Sequence, residues 1–156
     1  MRNVHGFTLI EVLIAGSLFL ILSSGIIMSV LGSLENERFS EERVLATAYV
    51  EEGVEAMRSL KKRDFALLEN TDGSGLIREG DGLWELTGSE DVMGKYTRRV
   101  VIESVARNTE GDMVDHGGTD DPKTKKVIVT VNWGDADGRP QSVELVGYFT
   151  DWGELF

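Results

Sequence analysis

The chain has 156 residues, 41% hydrophobic and 28% charged, which is room for one domain of ordinary size. Sixteen Lys and Arg face 27 Asp and Glu, a net charge of −11, and such acidity speaks against a nucleic-acid surface, which needs clustered cations. There is no cysteine, so disulfides, thiol catalysis and Cys-based zinc sites are excluded.

The charge is unevenly spread. Residues 12–34 contain no Asp, Glu, Lys or Arg, and upstream Arg2 and Glu11 cancel, so the acidic excess lies beyond Leu34. As a helix, residues 12–34 would span roughly 35 Å, enough to cross a hydrocarbon layer of about 30 Å. Arg2 and the amino terminus mark the cytoplasmic side, which places everything after the run outside. A removable secretory signal has an apolar core of only about 7–15 residues, shorter than this one. A plain membrane anchor leaves Glu11 unexplained, because a carboxylate inside a membrane segment costs about 2.5–3.5 kcal/mol on insertion scales. No cation follows within the run, so a partner for Glu11 must come from elsewhere.

Gly6-Phe7-Thr8-Leu9-Ile10-Glu11 resembles the cleavage and methylation signature of type IV prepilins and type II secretion pseudopilins. The resemblance implies cleavage after Gly6 by a prepilin peptidase and N-methylation of the new terminus, Phe7. It also implies that Glu11 pairs with the Phe7 amine of an adjacent subunit during assembly. Two features depart from the common pattern. His5 stands where many relatives carry Lys or Arg, and no proline precedes Pro122, so Gly16, Gly25 and Gly32 are the weak points of this helix.

Farther along, Ala46, Val50, Gly53, Met57 and Leu60 recur at helical spacing, widened by Tyr49 and Val54, while Glu51, Glu55 and Arg58 lie opposite. Residues 35–43 are mostly polar, as in a solvated span. One helix is therefore expected from Phe7 to about Leu68, with Gly53 letting a sheet approach closely. Asn70-Thr71-Asp72-Gly73-Ser74-Gly75 is dense in turn formers. Strands are expected at residues 83–87, 96–105, 126–133 and 142–150, the last two joined as a hairpin by the turn at residues 135–140. The expected fold is α+β: a long N-terminal helix, transmembrane in its first half, packed on a C-terminal antiparallel sheet of three to four strands. This order resembles the pilin fold, and residues 51–58 with the Trp-turn-strand ending resemble minor pilins. The division is a leader at residues 1–6, a membrane and filament-core helix at residues 7–34, and a soluble domain at residues 35–156.

Sites for chemistry are sparse. Asp112, Asp115, His116, Asp120 and Asp121 crowd one Gly-rich loop, and Asp135 and Asp137 flank a turn. Calcium takes oxygen ligands in such loops, so Asp112, Asp115, Asp135 and Asp137 are secondary candidates, though neither segment fits the 12-residue calcium-loop pattern. With His5 and His116 the only histidines, and no nucleophile-elbow or phosphate-loop motif, no enzyme is expected, and no cofactor. The expected role is a structural filament subunit, a minor pilin by its resemblance. Its partners are the prepilin peptidase, other pilin subunits, the inner-membrane assembly machinery and, before assembly, membrane lipid. Its place is the cytoplasmic membrane, single-pass with the C-terminal domain outside, and then an extracellular or periplasmic filament. A pseudopilin of a secretion or DNA-uptake system is the alternative. A monomeric anchored module, binding through Trp84, Trp133, Tyr148 and Trp152, is a third reading, and Glu11 disfavours it.

Overall fold

The computed structural model describes residues 8–114, 116–135 and 138–152. Gly6 and Phe7, the processing residues, and Asp115 and Asp137 among the calcium candidates lie outside that set. The chain forms two units, Met1–Glu41 and Glu42–Phe156.

The first unit is helical. Helix α1 runs over Leu9–Arg63, and its portion within this unit has no buried residue among those described. Three hydroxyls in it are satisfied by the preceding turn: Ser17 donates to the Ile14 carbonyl at 2.8 Å, Ser24 to Leu20 at 2.8 Å and Ser33 to Ser29 at 3.0 Å. A serine that donates back along its own helix leaves no hydroxyl unpaired in an apolar surrounding.

The second unit packs the rest of α1 on an antiparallel sheet. The helix buries Ala46, Val50, Gly53, Val54, Ala56, Met57 and Leu60, the stripe expected from periodicity with Ala56 added and Tyr49 only partly buried. Against them stand Val100 and Ile102, then Val127, Val129, Val131 and Trp133, then Phe149. Gly53 is required by that approach. A Cβ there would lie 2.7 Å from Cγ1 of Val129 and 3.3 Å from Cδ of Arg98, so any larger residue forces helix and sheet apart.

The helix stops at Arg63, five residues before the expected end at Leu68. Asp64 takes an extended conformation (φ −164°, ψ 126°) and its carboxylate accepts from the Ala66 N–H at 2.9 Å, capping a 3-10 turn at Phe65–Leu67. An aspartate competes well as a cap and poorly as a helix interior residue, which is why the chain breaks there. Leu68 then returns to the core.

Among the described residues the sheet has seven strands, where three to four were expected: β1 (Thr71–Arg78), β2 (Trp84–Thr87), β3 (Asp91–Met93), β4 (Tyr96–Arg107), β5 (Met113–Val114), β6 (Thr119–Gly134) and β7 (Pro140–Thr150). Its spine is ordered β2-β1-β4-β6-β7, and β3 and β5 pair with β4 along the edge shared with β1. The β6–β7 hairpin is in register from Thr124↔Thr150 to Gly134↔Pro140, as alternation predicts. The main difference is β1, whose Gly and Ser residues read as a turn. They form a strand with an irregular register between Thr71 and Ser74. A Cβ on Gly75 would lie 2.5 Å from the Glu90 carbonyl carbon, so glycine is there because the backbone entering β3 passes over it.

Candidate functional site

The sequence places the functional residues at the head of α1, and the described part of that region begins at Thr8. Thr8 sits at the N-cap position. Its carbonyl accepts from the Glu11 N–H at 3.1 Å and the Val12 N–H at 3.3 Å. Its own backbone N–H and its hydroxyl each donate to Oε2 of Glu11 at 3.3 Å. Thr-x-x-Glu is a capping box: the glutamate at the third helical position reaches back to the cap. The sequence reading singled out Glu11 for an intermolecular role and missed this local one, although the four-residue pattern was there to find. At 3.3 Å both bonds are at the long end of the useful range, so the carboxylate is directed to the helix start without being tightly held. A negative group in the first turn also suits the helix dipole.

Behind Glu11 the helix surface is apolar on every side. Phe19, Ile21 and Met28 are 69%, 69% and 73% exposed, and no described residue covers them. The helix is long and apolar enough to cross a membrane, and none of its most apolar window is buried within the protein. A helix hydrophobic all round is stable only inside a bilayer or among other apolar surfaces. Among the described residues no group lies within 4 Å of a Cβ placed on Gly16, Gly25 or Gly32, so none of their neighbours there requires a glycine.

The second unit buries one cation within a set of paired charges. Arg98 is 2% exposed, on β4 in phase with Tyr96, Val100 and Ile102. Its guanidinium donates to both carboxylate oxygens of Asp91 (3.2 and 2.9 Å), to Glu52 (3.1 Å) and to the Tyr49 carbonyl (3.2 Å). Asp91 also accepts from the Leu76 N–H at 2.8 Å. One buried cation thereby ties α1, β1 and β3 to β4, and a bidentate pair supplied with further bonds is the geometry in which a buried charge is tolerated. The sequence reading did not single out Arg98. Its phase with apolar neighbours, seven residues after Asp91, was the available signal.

Beside it Tyr49, Tyr96 and Trp133 pack as a series of tilted rings, with centroids 5.3 and 5.9 Å apart and planes at 58° and 47°. The Tyr96 hydroxyl donates to the Glu42 carbonyl at 3.2 Å, and burial raises its pKa, with Lys95 opposing and Glu42 reinforcing the shift. Trp84 is half-buried under the guanidinium groups of Arg78 and Arg98, while Tyr148 and Trp152 are exposed. The four aromatics named in the sequence therefore do not form one surface of like exposure.

The acidic segments are rearranged relative to expectation. Asp120 and Asp121 belong to β6 and not to a loop. Asp121 is paired with Arg107 at 2.7 Å and accepts from the Lys123 N–H at 2.9 Å. The Arg107 bond chiefly, helped by bonds from Thr124 and the Lys123 N–H, lowers its pKa to about 2. The Asp135 carboxylate closes the β6–β7 turn by accepting from the Arg139 N–H at 2.8 Å and Gln141 at 3.2 Å. Asp112 and His116 are exposed, and among the described residues no three His, Asp or Glu side chains converge as a metal site would require.

Residues 1–27 match the family model of the prokaryotic N-terminal methylation motif. No curated protein and no solved structure matches the chain.

Proposed function

We propose that this chain, whose N-terminal residues carry the signature of type IV pilins and pseudopilins, is a structural subunit of a type IV pilus-like filament. The observation that carries the reading is the coincidence of that motif with a helix whose apolar surface is uncovered on all sides and holds one acidic group, Glu11, at its head. Cleavage after Gly6 turns Phe7 into a cation at the membrane edge. Glu11, held by long contacts to Thr8, exchanges them for the Phe7 amine of a neighbour. A buried carboxylate without a partner is costly, so pairing and entry into the apolar bundle favour one another. The apolar helices form the filament core, and the acidic domains face water. Before assembly the subunit sits in the cytoplasmic membrane, amino terminus inside and domain outside. It is handled there by the prepilin peptidase and the inner-membrane machinery. The finer form of the reading, a minor pilin, rests on the character of residues 51–58 and is tested by counting copies per filament.

Mass spectrometry of the chain expressed with and without a prepilin peptidase is the direct test. A product beginning at N-methylated Phe7, seen only with the peptidase, supports the reading. An intact Met1 in its presence defeats it. Glu11→Leu should be cleaved normally yet fail to enter filaments. Because pseudopilins share the motif, a role in a secretion or DNA-uptake apparatus is the second reading. Loss of secretion or uptake in a deletion strain that keeps its surface pili would select it.

A further inference from the structure

The side of α1 that faces away from the sheet carries a pattern that the fold leaves unexplained. Val44, Ala48, Glu51, Glu55, Arg58 and Lys62 recur at alternating spacings of four and three, and all six are exposed. That spacing is the seam by which one helix packs along another. Its first two members are apolar, and Val44 is 67% exposed. Ala48 is small enough to let a second helix come close. The next four are two acids followed by two bases, and Glu51 to Arg58 and Glu55 to Lys62 are each seven residues apart.

We infer that this face is a contact between neighbouring copies of the chain, packed parallel and offset by seven residues, so that Glu51 and Glu55 of one copy meet Arg58 and Lys62 of the next. The inference rests on the filament reading, which makes neighbouring helices parallel. The partner follows from charge. At zero offset like charges oppose, whereas a shift of seven residues, about 10.5 Å along a helix, pairs both acids with both bases at once. A chain of net charge −11 resists meeting itself anywhere that acid faces acid, and this seam supplies the complementary cations. The contact is head-to-tail: each copy offers its acids to one neighbour and its bases to another, so it propagates without closing. The local Glu55–Arg58 pair at 3.2 Å does not compete strongly, because both side chains are almost two-thirds exposed. An antiparallel pair would also match charges, Glu51 with Lys62 and Glu55 with Arg58, and it would close as a dimer.

The absence of native cysteine makes the test clean. The full chain carrying Glu55→Cys and Lys62→Cys is expressed with its peptidase and assembly machinery, sheared from cells and treated with a mild copper oxidant. Seven residues along one helix separate two Cα atoms by more than the roughly 7 Å a disulfide tolerates, so every bridge must join two chains. The expected result is a ladder of dimers, trimers and higher species on a non-reducing gel. The Glu55→Cys, Arg58→Cys variant should give none. Separately, Glu51→Lys with Glu55→Lys should cut filament yield about tenfold, the effect of roughly 1.4 kcal/mol per contact. Adding Arg58→Glu and Lys62→Glu should restore it. All four positions are exposed, and an unchanged melting curve in detergent confirms that the variants fold. Wild-type filaments with no ladder from the 55/62 pair, or closed dimers from a Glu51→Cys, Lys62→Cys variant, overturn the register and leave the filament reading standing. Absence of filaments from the processed wild-type chain overturns both.

Discussion

Residues 9–34 and residues 46–60 lie on one helix and both are rich in apolar side chains, yet they dispose of that surface in opposite ways. The first stretch shows no burial inside the chain, and its apolar residues point in every direction. The second confines them to a stripe, covers that stripe with β4, β6 and β7, and turns charge outward. The stripe is a message to the rest of the chain: its partner is encoded downstream. The all-round surface has no such partner and is addressed to a bilayer or to other copies. Mutations that touch stability should therefore separate cleanly from mutations that touch assembly.

Removing the buried cation should have the largest effect. Arg98→Ala strips Asp91, Glu52 and the Tyr49 carbonyl of their shared donor and should cost about 3–5 kcal/mol, read as a lower melting temperature of the full chain in detergent. Next comes the direct comparison. Met57→Ala, at a fully buried position, should lose about 2–5 kcal/mol. Leu20→Ala, 66% exposed on the same helix, should leave the melting curve of the folded domain unchanged and lower filament recovery instead. If both variants melt alike, the division of the helix into an inward and an outward half is wrong. Gly53→Val is smaller but sharper. The added atoms meet Val129 and the Arg98 stem, at an overpacking cost of about 1–3 kcal/mol, although valine is a better helix former than glycine. Gly25→Val, with no neighbour inside the chain, should not destabilise the domain at all.

The same contrast explains what could be read from the amino acids. Long periodic signals were legible: the 46–60 stripe, the alternation of Val127, Val129, Val131 and Trp133, and the hairpin that joins β6 to β7. The head of the helix was legible through its motif and the isolated Glu11. What escaped depended on contacts distant in sequence. β1 reads as a turn because Gly75 advertises flexibility, while its real role is to let Glu90 pass close by. β3 and β5, of three and two residues, are too short to show a period, and they exist because β4 offers them an edge. Asp64 ended the helix through a cap bond whose strength no composition window measures. The carboxylates at 120 and 121 looked like a loop cluster because their pairing with β4, across a register shift beside Ser104, lies outside any local pattern.

Asp121 gives the smallest effect and the one with a defined pH window. Its pKa is held at about 2, against 3.8 for an ordinary aspartate, mainly by the hydrogen bond from Arg107. A depressed carboxylate favours the folded state wherever the unfolded chain would also be ionised, so its contribution is complete above about pH 4. As the pH falls from there toward 2 the unfolded state takes up the proton first, and the contribution disappears. The Arg107 side chain is 37% exposed, so solvent and salt screen the pair and the effect should be modest. Asp121→Asn should therefore melt slightly below the wild-type chain at pH 7, and the two should converge between pH 4 and pH 2. A wild-type profile flat from pH 4 to pH 2 would show that Arg107 holds Asp121 no better than water does.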